Sequence, residues 1–334
     1  MIEFDILKSL IINSENLAEE AISKYGLTKC VSFINKSKTK NHFLRLVKGK
    51  NKEIDNYLST TFKFYKQRAC IAKNLSKELN SAGIRHVFFK GAAISTAFSE
   101  NQSDRPYRDF DILIDAEDLR DFYSFLDAKS LKHNNNFRFL NRSGYTRTAL
   151  EVIQDKSGIV YDFHYRIMSK FYKKQCLLSK SMLNDANNYS DLMIPSRESL
   201  ISSSSYHCFV QNNSSITPQL LCDLNLIMQY KIDSSKIKKQ LNNKNLFEKI
   251  EKVKTIIEDM HSDQNNNKLK ALSKKLFKNE FERNSIFKPF FLPTQIAHFF
   301  DPEPYINYAG GDLTRNGIFE LLKTKFRRKQ LRNL

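Results

Sequence analysis

Apolar positions in the first eighty residues recur with helical spacing. The clearest run is IDNYLSTTFKFYKQRACIAKNLSKELNSAG (54–83), with Gly83 where a helix would stop. The period then changes. IRHVFFK (84–90) is short, apolar and β-prone, Gly91 follows it, and AAISTAFS reads as a short helix. The polar stretch ENQSDRP leads into a second strand, DFDILID (109–115). AEDLRDFYSFLDAKS is an amphipathic helix with Asp115 as its N-cap and Asp118 at the third helical position. FRFLN, YTRTALEVIQ and GIVYDFHYRI (158–167) read as further strands. From about residue 170 the spacing is helical again, in PSRESLISSSSYHCFVQ (entered through Pro195 and Ser196), PQLLCDLNLIMQYK, LFEKIEKVKTIIEDM and LKALSKKLFK. SDQNNN (262–267) reads as a loop or linker, and GGD (310–312) as a lone turn without phosphate-loop spacing. There is no internal repeat.

These elements predict an α+β protein: a helical leader (1–83), a small α/β core (84–170) and a helical C-terminal region (171–334) ending in the basic tail KTKFRRKQLRNL. Strands that cluster after helices favour a mixed sheet over a doubly wound parallel one. A length of 334 residues suits one large domain or two ordinary ones. No run approaches the ~20 apolar residues of a membrane span. The N-terminus lacks the basic segment and small-residue cleavage site of a signal peptide, so the expectation is a soluble, cytoplasmic protein. The five cysteines are scattered, with no CxxC pair, which argues against a disulfide framework or zinc site and for reduced thiols. The formal charge of +18 favours an anionic partner: nucleotide, nucleic acid or membrane surface. Abundant Lys, Asn, Ile and Ser with no Trp is also what a biased genome composition produces, so the charge alone leaves RNA binding open.

Asp109 and Asp111 stand two apart within an otherwise apolar strand. Side chains at i and i+2 share a face, so the two carboxylates lie side by side, and unpaired anions in a core are costly. A cation has to offset them: a metal ion, an arginine, or water at a strand end. The same period puts Asp162, His164 and Arg166 on one face of YDFHYRI and Tyr161, Phe163 and Tyr165 on the other. If that strand lies beside DFDILID, Asp162 joins the first two acids, and three carboxylates suit Mg²⁺ or Mn²⁺ with substrate phosphates completing the shell. An isolated Asp-x-Asp is otherwise a common strand-end feature. Upstream, Gly91 permits close backbone approach and the following helix offers free N–H groups, while Arg105 and Arg108 can neutralise phosphate oxygens.

Taken in order, FFKGAAIS, DRPYRDFDILID and YDFHYRI resemble the polymerase-β-like nucleotidyltransferase superfamily. The resemblance is to a largely uncharacterised branch with a Lys-Gly-Ala turn, an Arg-Pro before the Asp-x-Asp strand and a late Asp-x-His strand. It covers residues 84–167 and continues weakly through His207 and Asp223. It implies that Asp109, Asp111 and Asp162 are catalytic and hold two divalent metals. It also implies that Gly91 with Ala92 forms the phosphate-side turn and that Lys90 and Arg105 contact triphosphate. Arg108 and His164 complete the candidate nucleotide-binding set. The implied reaction moves a nucleoside monophosphate from NTP to a hydroxyl of a small molecule, RNA or protein, releasing pyrophosphate. Ala92 departs from the superfamily's Gly-Ser, and the Gly91-to-Asp109 loop is longer than in compact members.

His164 reads either as a substrate contact that orients Asp162 or as a histidine bonded to its neighbours; Arg166 reads as a phosphate contact or an ion-pair partner of Asp162. His207 and Asp223 read as structural, with Asp223 bonding His207 or capping across helices, and Cys208 and Cys222 as packing residues. Two other functions compete. A glycosyltransferase using DFD needs a longer α/β region upstream than this helical leader provides, and an inactive nucleic-acid-binding relic should have lost an acid.

Overall fold

The computed structural model describes residues 1–35, 37–99, 101–132, 137–139, 149–155, 159–167, 176–211 and 216–285. In chain order, helices α1 (Ile2–Ile12), α2 (Glu15–Tyr25), α3 (Leu27–Ile34), α4 (Lys40–Leu46) and α5 (Lys52–Ser81) lead into β1 (His86–Phe89) and α6 (Lys90–Phe98). β2 (Asp109–Ile114), α7 (Leu119–Lys132), β3 (Phe137–Phe139), β4 (Ala149–Asp155) and β5 (Val160–His164) follow. The remainder is α8 (Cys176–Asn184), β6 (Asn187–Tyr189), β7 (Leu192–Ile194), α9 (Arg197–Tyr206), α10 (Pro218–Met228), α11 (Ser234–Leu241), α12 (Lys244–His261) and α13 (Asn266–Ser285). The protein is α+β, as its periodicity predicts. No helix among the described residues is long and apolar enough to cross a membrane. The GGD turn and the basic tail lie outside the described residues.

Two compact units emerge, each discontinuous in sequence. One contains residues 1–71, 90–107 and 197–285; the other contains Ala72–Phe89 and Arg108–Ser196.

The second unit is built on a mixed five-stranded sheet, ordered β1-β2-β5-β4-β3. β2 is antiparallel to β1 and parallel to β5, and β4 is antiparallel to β5 and β3. Registers fix the faces. Phe88, Phe110, Ile112, Tyr161 and Phe163 fall on one side by the two-residue strand period. Their rings interlock: Phe88–Phe110 at 6.1 Å, Phe110–Tyr161 at 5.4 Å, and Phe163 against Phe122 of α7 at 4.8 Å. Full burial of such rings contributes roughly 2–3 kcal/mol each. That leaves the polar residues of β2 and β5 to the opposite face. Asp115 accepts from the Glu117 N–H and caps a 3-10 turn, Ala116–Asp118, before α7 begins. Asp118 instead accepts from the Arg85 backbone N–H at 2.7 Å, joining the entry of β1 to the exit of β2.

The β6–β7 hairpin interrupts a region whose spacing predicts only helices. Ser190 and Asp191 both take positive φ (48° and 73°) between the paired Tyr189 and Leu192, a type I′ geometry. The turn lacks the Asn-Gly or Asp-Gly signature that would reveal it in sequence.

The first unit is helical. α1 runs through its centre with Ile6, Leu7, Leu10 and Ile11 buried, and Asn225 of α10 donates to the Ile11 carbonyl at 2.8 Å. Thr217, Asp233 and Asn243 cap α10, α11 and α12 through side-chain oxygens. The predicted 262–267 loop is shorter, since α13 starts at Asn266. Residues 101–107 are held by Asn41 donating to the Ser103 carbonyl at 3.0 Å and by an Arg45–Asp104 ion pair at 2.6 Å.

Candidate metal centre

β2 and β5 are adjacent and parallel, and their register sets Asp111 opposite Asp162. Both carboxylates therefore share the face turned away from the aromatic layer, and each is largely buried, at 6% and 8% exposure. His164, two residues beyond Asp162, joins that face. Its Nε2 lies 3.3 Å from Asp111 Oδ1 and 3.5 Å from Asp162 Oδ1. One potential ligand atom from each of these side chains lies within 4.8 Å of the others.

The imidazole is fixed from the side as well. Phe89, which ends β1 opposite Asp111, meets the His164 ring edge-on at 5.3 Å between centroids. Like charges placed directly across a strand pair are unfavourable, and desolvation adds to the cost. Two carboxylates with one imidazole are a donor set that fits a divalent cation.

Asp109 opens β2 on the same face, two residues before Asp111, and is half-buried; it is not part of the compact cluster. Arg108 beside it is exposed. Both belong to the second unit, whereas Lys90, Gly91, Ala92 and Arg105 belong to the first.

At the start of α6, the left-handed backbone falls on Lys90 (φ 56°), not on the glycine. A side-chain-bearing residue held there stores roughly 1 kcal/mol or more. Gly91 and Ala92 are buried within the helix. A Cβ on Gly91 would come within 2.6 Å of Tyr107 Cβ, so packing against Tyr107 is one physical requirement for a glycine here. Arg105 donates from Nε and Nη2 to the two carboxylate oxygens of Asp223, at 2.5 and 2.9 Å, and from Nη1 to the Pro106 carbonyl at 2.7 Å. Gln219 donates to the same Asp223 at 2.8 Å. The structural role expected for Asp223 is thus filled by Arg105 and Gln219. The sequence brings out His164 through its same-face spacing with Asp162, but the Phe89 contact on it has no local signal.

None of the curated proteins compared with the chain matches it. A crystal structure of an antigenic nucleotidyltransferase-like protein from Paracoccidioides brasiliensis is similar over 57% of this chain and 91% of that chain, with 14% identity and a TM-score of 0.36, a likeness too distant to bear on activity. Sequence comparison is more specific. Residues 50–260 match a family described as uncharacterised nucleotidyltransferases, and that span carries both acid-bearing strands together with α6 and α10. The chain belongs to this uncharacterised nucleotidyltransferase family.

Proposed function

We propose that the protein is a metal-dependent nucleotidyltransferase that moves a nucleoside monophosphate from NTP to an acceptor hydroxyl. The observation that supports this most is the buried juxtaposition of Asp111 and Asp162 across β2 and β5, in a chain of nucleotidyltransferase family. Asp111 and Asp162 would hold Mg²⁺ or Mn²⁺, with Asp109 as a third carboxylate. The cation supplies charge neutralisation at the triphosphate and Lewis acidity at the reacting phosphoryl group.

The side chains divide the remaining work. The acceptor oxygen attacks the α-phosphorus, the bond to the β-phosphate oxygen breaks, and pyrophosphate leaves. Asp162 accepts the acceptor's proton, which its carboxylate can do only while ionised. Arg108, in the unit that carries the three acids, contributes positive charge to the triphosphate. Arg105, already neutralised by Asp223, stabilises the segment leading from α6 to β2. Positioning and fixed charge carry the catalysis. Use of cellular NTP agrees with a cytoplasmic site of action, and the acceptor is a small molecule, an RNA or a protein.

The test incubates the protein with each α-labelled NTP, Mg²⁺ or Mn²⁺, and cell extract separated into RNA, protein and metabolite fractions. Label transfer that disappears in Asp109→Ala and Asp111→Ala is the expected result. Turnover of UDP-sugars without transfer would replace this reading with a glycosyltransferase. Salt-sensitive RNA binding that survives both substitutions, without transfer, would replace it with a non-catalytic binding protein.

A further inference from the structure

We infer that His164 is a metal ligand, so that Asp111, Asp162 and His164 form a mixed nitrogen–oxygen donor set that selects Mn²⁺ over Mg²⁺. This rests on the metal-dependent reading above and adds a ligand and an ion preference to it.

The distances carry the argument. Two donors at right angles on an ion with bonds of about 2.1 Å lie about 3 Å apart. His164 Nε2 stands 3.3 Å from one carboxylate and 3.5 Å from the other. It thus lies close to where a ligand sharing an ion with both would be, and needs only a few tenths of an ångström of closure. The ring does not have to turn to present that nitrogen, because Nε2 already faces both carboxylates, and Phe89 flanks the ring at 5.3 Å. All three side chains are buried, at 5–8% exposure, which limits the number of waters that can replace a protein donor.

Chemistry sets the preference. Mg²⁺ favours oxygen donors and retains its waters, whereas imidazole nitrogen binds first-row transition ions more readily. An all-carboxylate site lacks the nitrogen contribution and leaves Mn²⁺ only its easier dehydration. If His164 only hydrogen-bonds the two acids, it orients them and leaves the ion preference unchanged. The two roles predict different metal spectra.

The experiment uses the full chain without nucleotide. Mn²⁺ is titrated by electron paramagnetic resonance, Mg²⁺ is used as competitor, and electron spin-echo modulation of bound Mn²⁺ reads out directly coordinated nitrogen. The wild type should bind Mn²⁺ at least about tenfold more tightly than Mg²⁺ and show nitrogen modulation. His164→Gln should lose both the modulation and the preference. Absence of nitrogen modulation in the wild type overturns the inference, even if the variant does not fold. So does a His164→Gln protein that keeps the wild-type preference. Asp111→Asn separates the two levels. If it abolishes Mn²⁺ binding while His164→Gln leaves the preference intact, only the histidine assignment falls. If Asp111→Asn binds Mn²⁺ like the wild type, the metal-dependent reading falls as well.

Discussion

Gly91→Ala asks why a glycine follows the left-handed Lys90. An ideal Cβ at residue 91 would sit 2.6 Å from Tyr107 Cβ and 3.5 Å from Tyr107 Cγ, with Arg105 Nη1 at 3.4 Å. Non-bonded carbons rest about 3.5–4.0 Å apart, so the first contact must open by about 1 Å. Tyr107 Cβ is attached to the backbone, and no rotamer change moves it. The ring is also confined, at 6% exposure, 5.3 Å from the Tyr65 ring and 5.2 Å from the Arg68 guanidinium. The backbone of residues 105–107 or the first turn of α6 has to shift. Overpacking of this kind costs about 1–3 kcal/mol. A contact at backbone level belongs in the upper half of that range. Replacing a helical glycine by alanine returns about 1 kcal/mol. The net expectation is a loss of about 1–2 kcal/mol, read as a lower urea midpoint at unchanged m. Tyr107→Ala keeps its Cβ and should not rescue the variant, whereas Gly91→Ala in a Tyr107→Gly background should cost less. A Gly91→Ala protein as stable as the parent, or more so, would refute the steric account. If that protein also loses label transfer, the glycine serves ligand approach instead.

Asp111→Asn should abolish the cation's effect on melting, an effect that in the wild type amounts to about 2.7 kcal/mol at a concentration 100-fold above Kd; equal shifts in both proteins by scanning fluorimetry would contradict the assignment. Arg105→Ala strands the Asp223 carboxylate, which is 7% exposed, and should destabilise by about 3 kcal/mol in chemical denaturation; pairing it with Asp223→Leu should recover much of the loss. His86 is buried, with Nδ1–H donating to the Ile84 carbonyl and Nε2 accepting from Ser76, and burial lowers its pKa from 6.5 to about 4. The unfolded chain therefore takes up the proton first as pH falls, so the contribution of His86 is complete above about pH 6.5 and declines by about 3 kcal/mol on reaching pH 4. Urea midpoints at pH 7 and pH 4 should converge more closely in His86→Gln than in the wild type, and an identical pH dependence in the two would count against it.

Much of the candidate site is legible in local spacing. The alternation of DFDILI separates Asp109 and Asp111 from Phe110 and Ile112, and VYDFH separates Asp162 and His164 from Tyr161 and Phe163, because side chains of a strand alternate by covalent geometry. Positions of β1, α6, β2 and β5 follow from the same periodicity. Long-range partners are another matter. Arg105 and Asp223 are 118 residues apart, and nothing near either one announces the pair. Gly91 reads as a point of close backbone approach to a ligand; the structure adds that its backbone is helical and that Tyr107 Cβ occupies the space a side chain would need. The β6–β7 hairpin escapes notice because Ser190 and Asp191 adopt positive φ without glycine.

The sequence by itself determined which residues could share a strand face, where the strands of the five-stranded sheet fall, and that the chain is α+β. Tertiary structure decided that β5 lies next to β2 and at what offset. A shift of a single residue would turn Asp162 and His164 toward the aromatic layer. The burial of Phe110, Tyr161 and Phe163 together opposes that slip, and it is this packing against α7 that sets Asp162 across from Asp111.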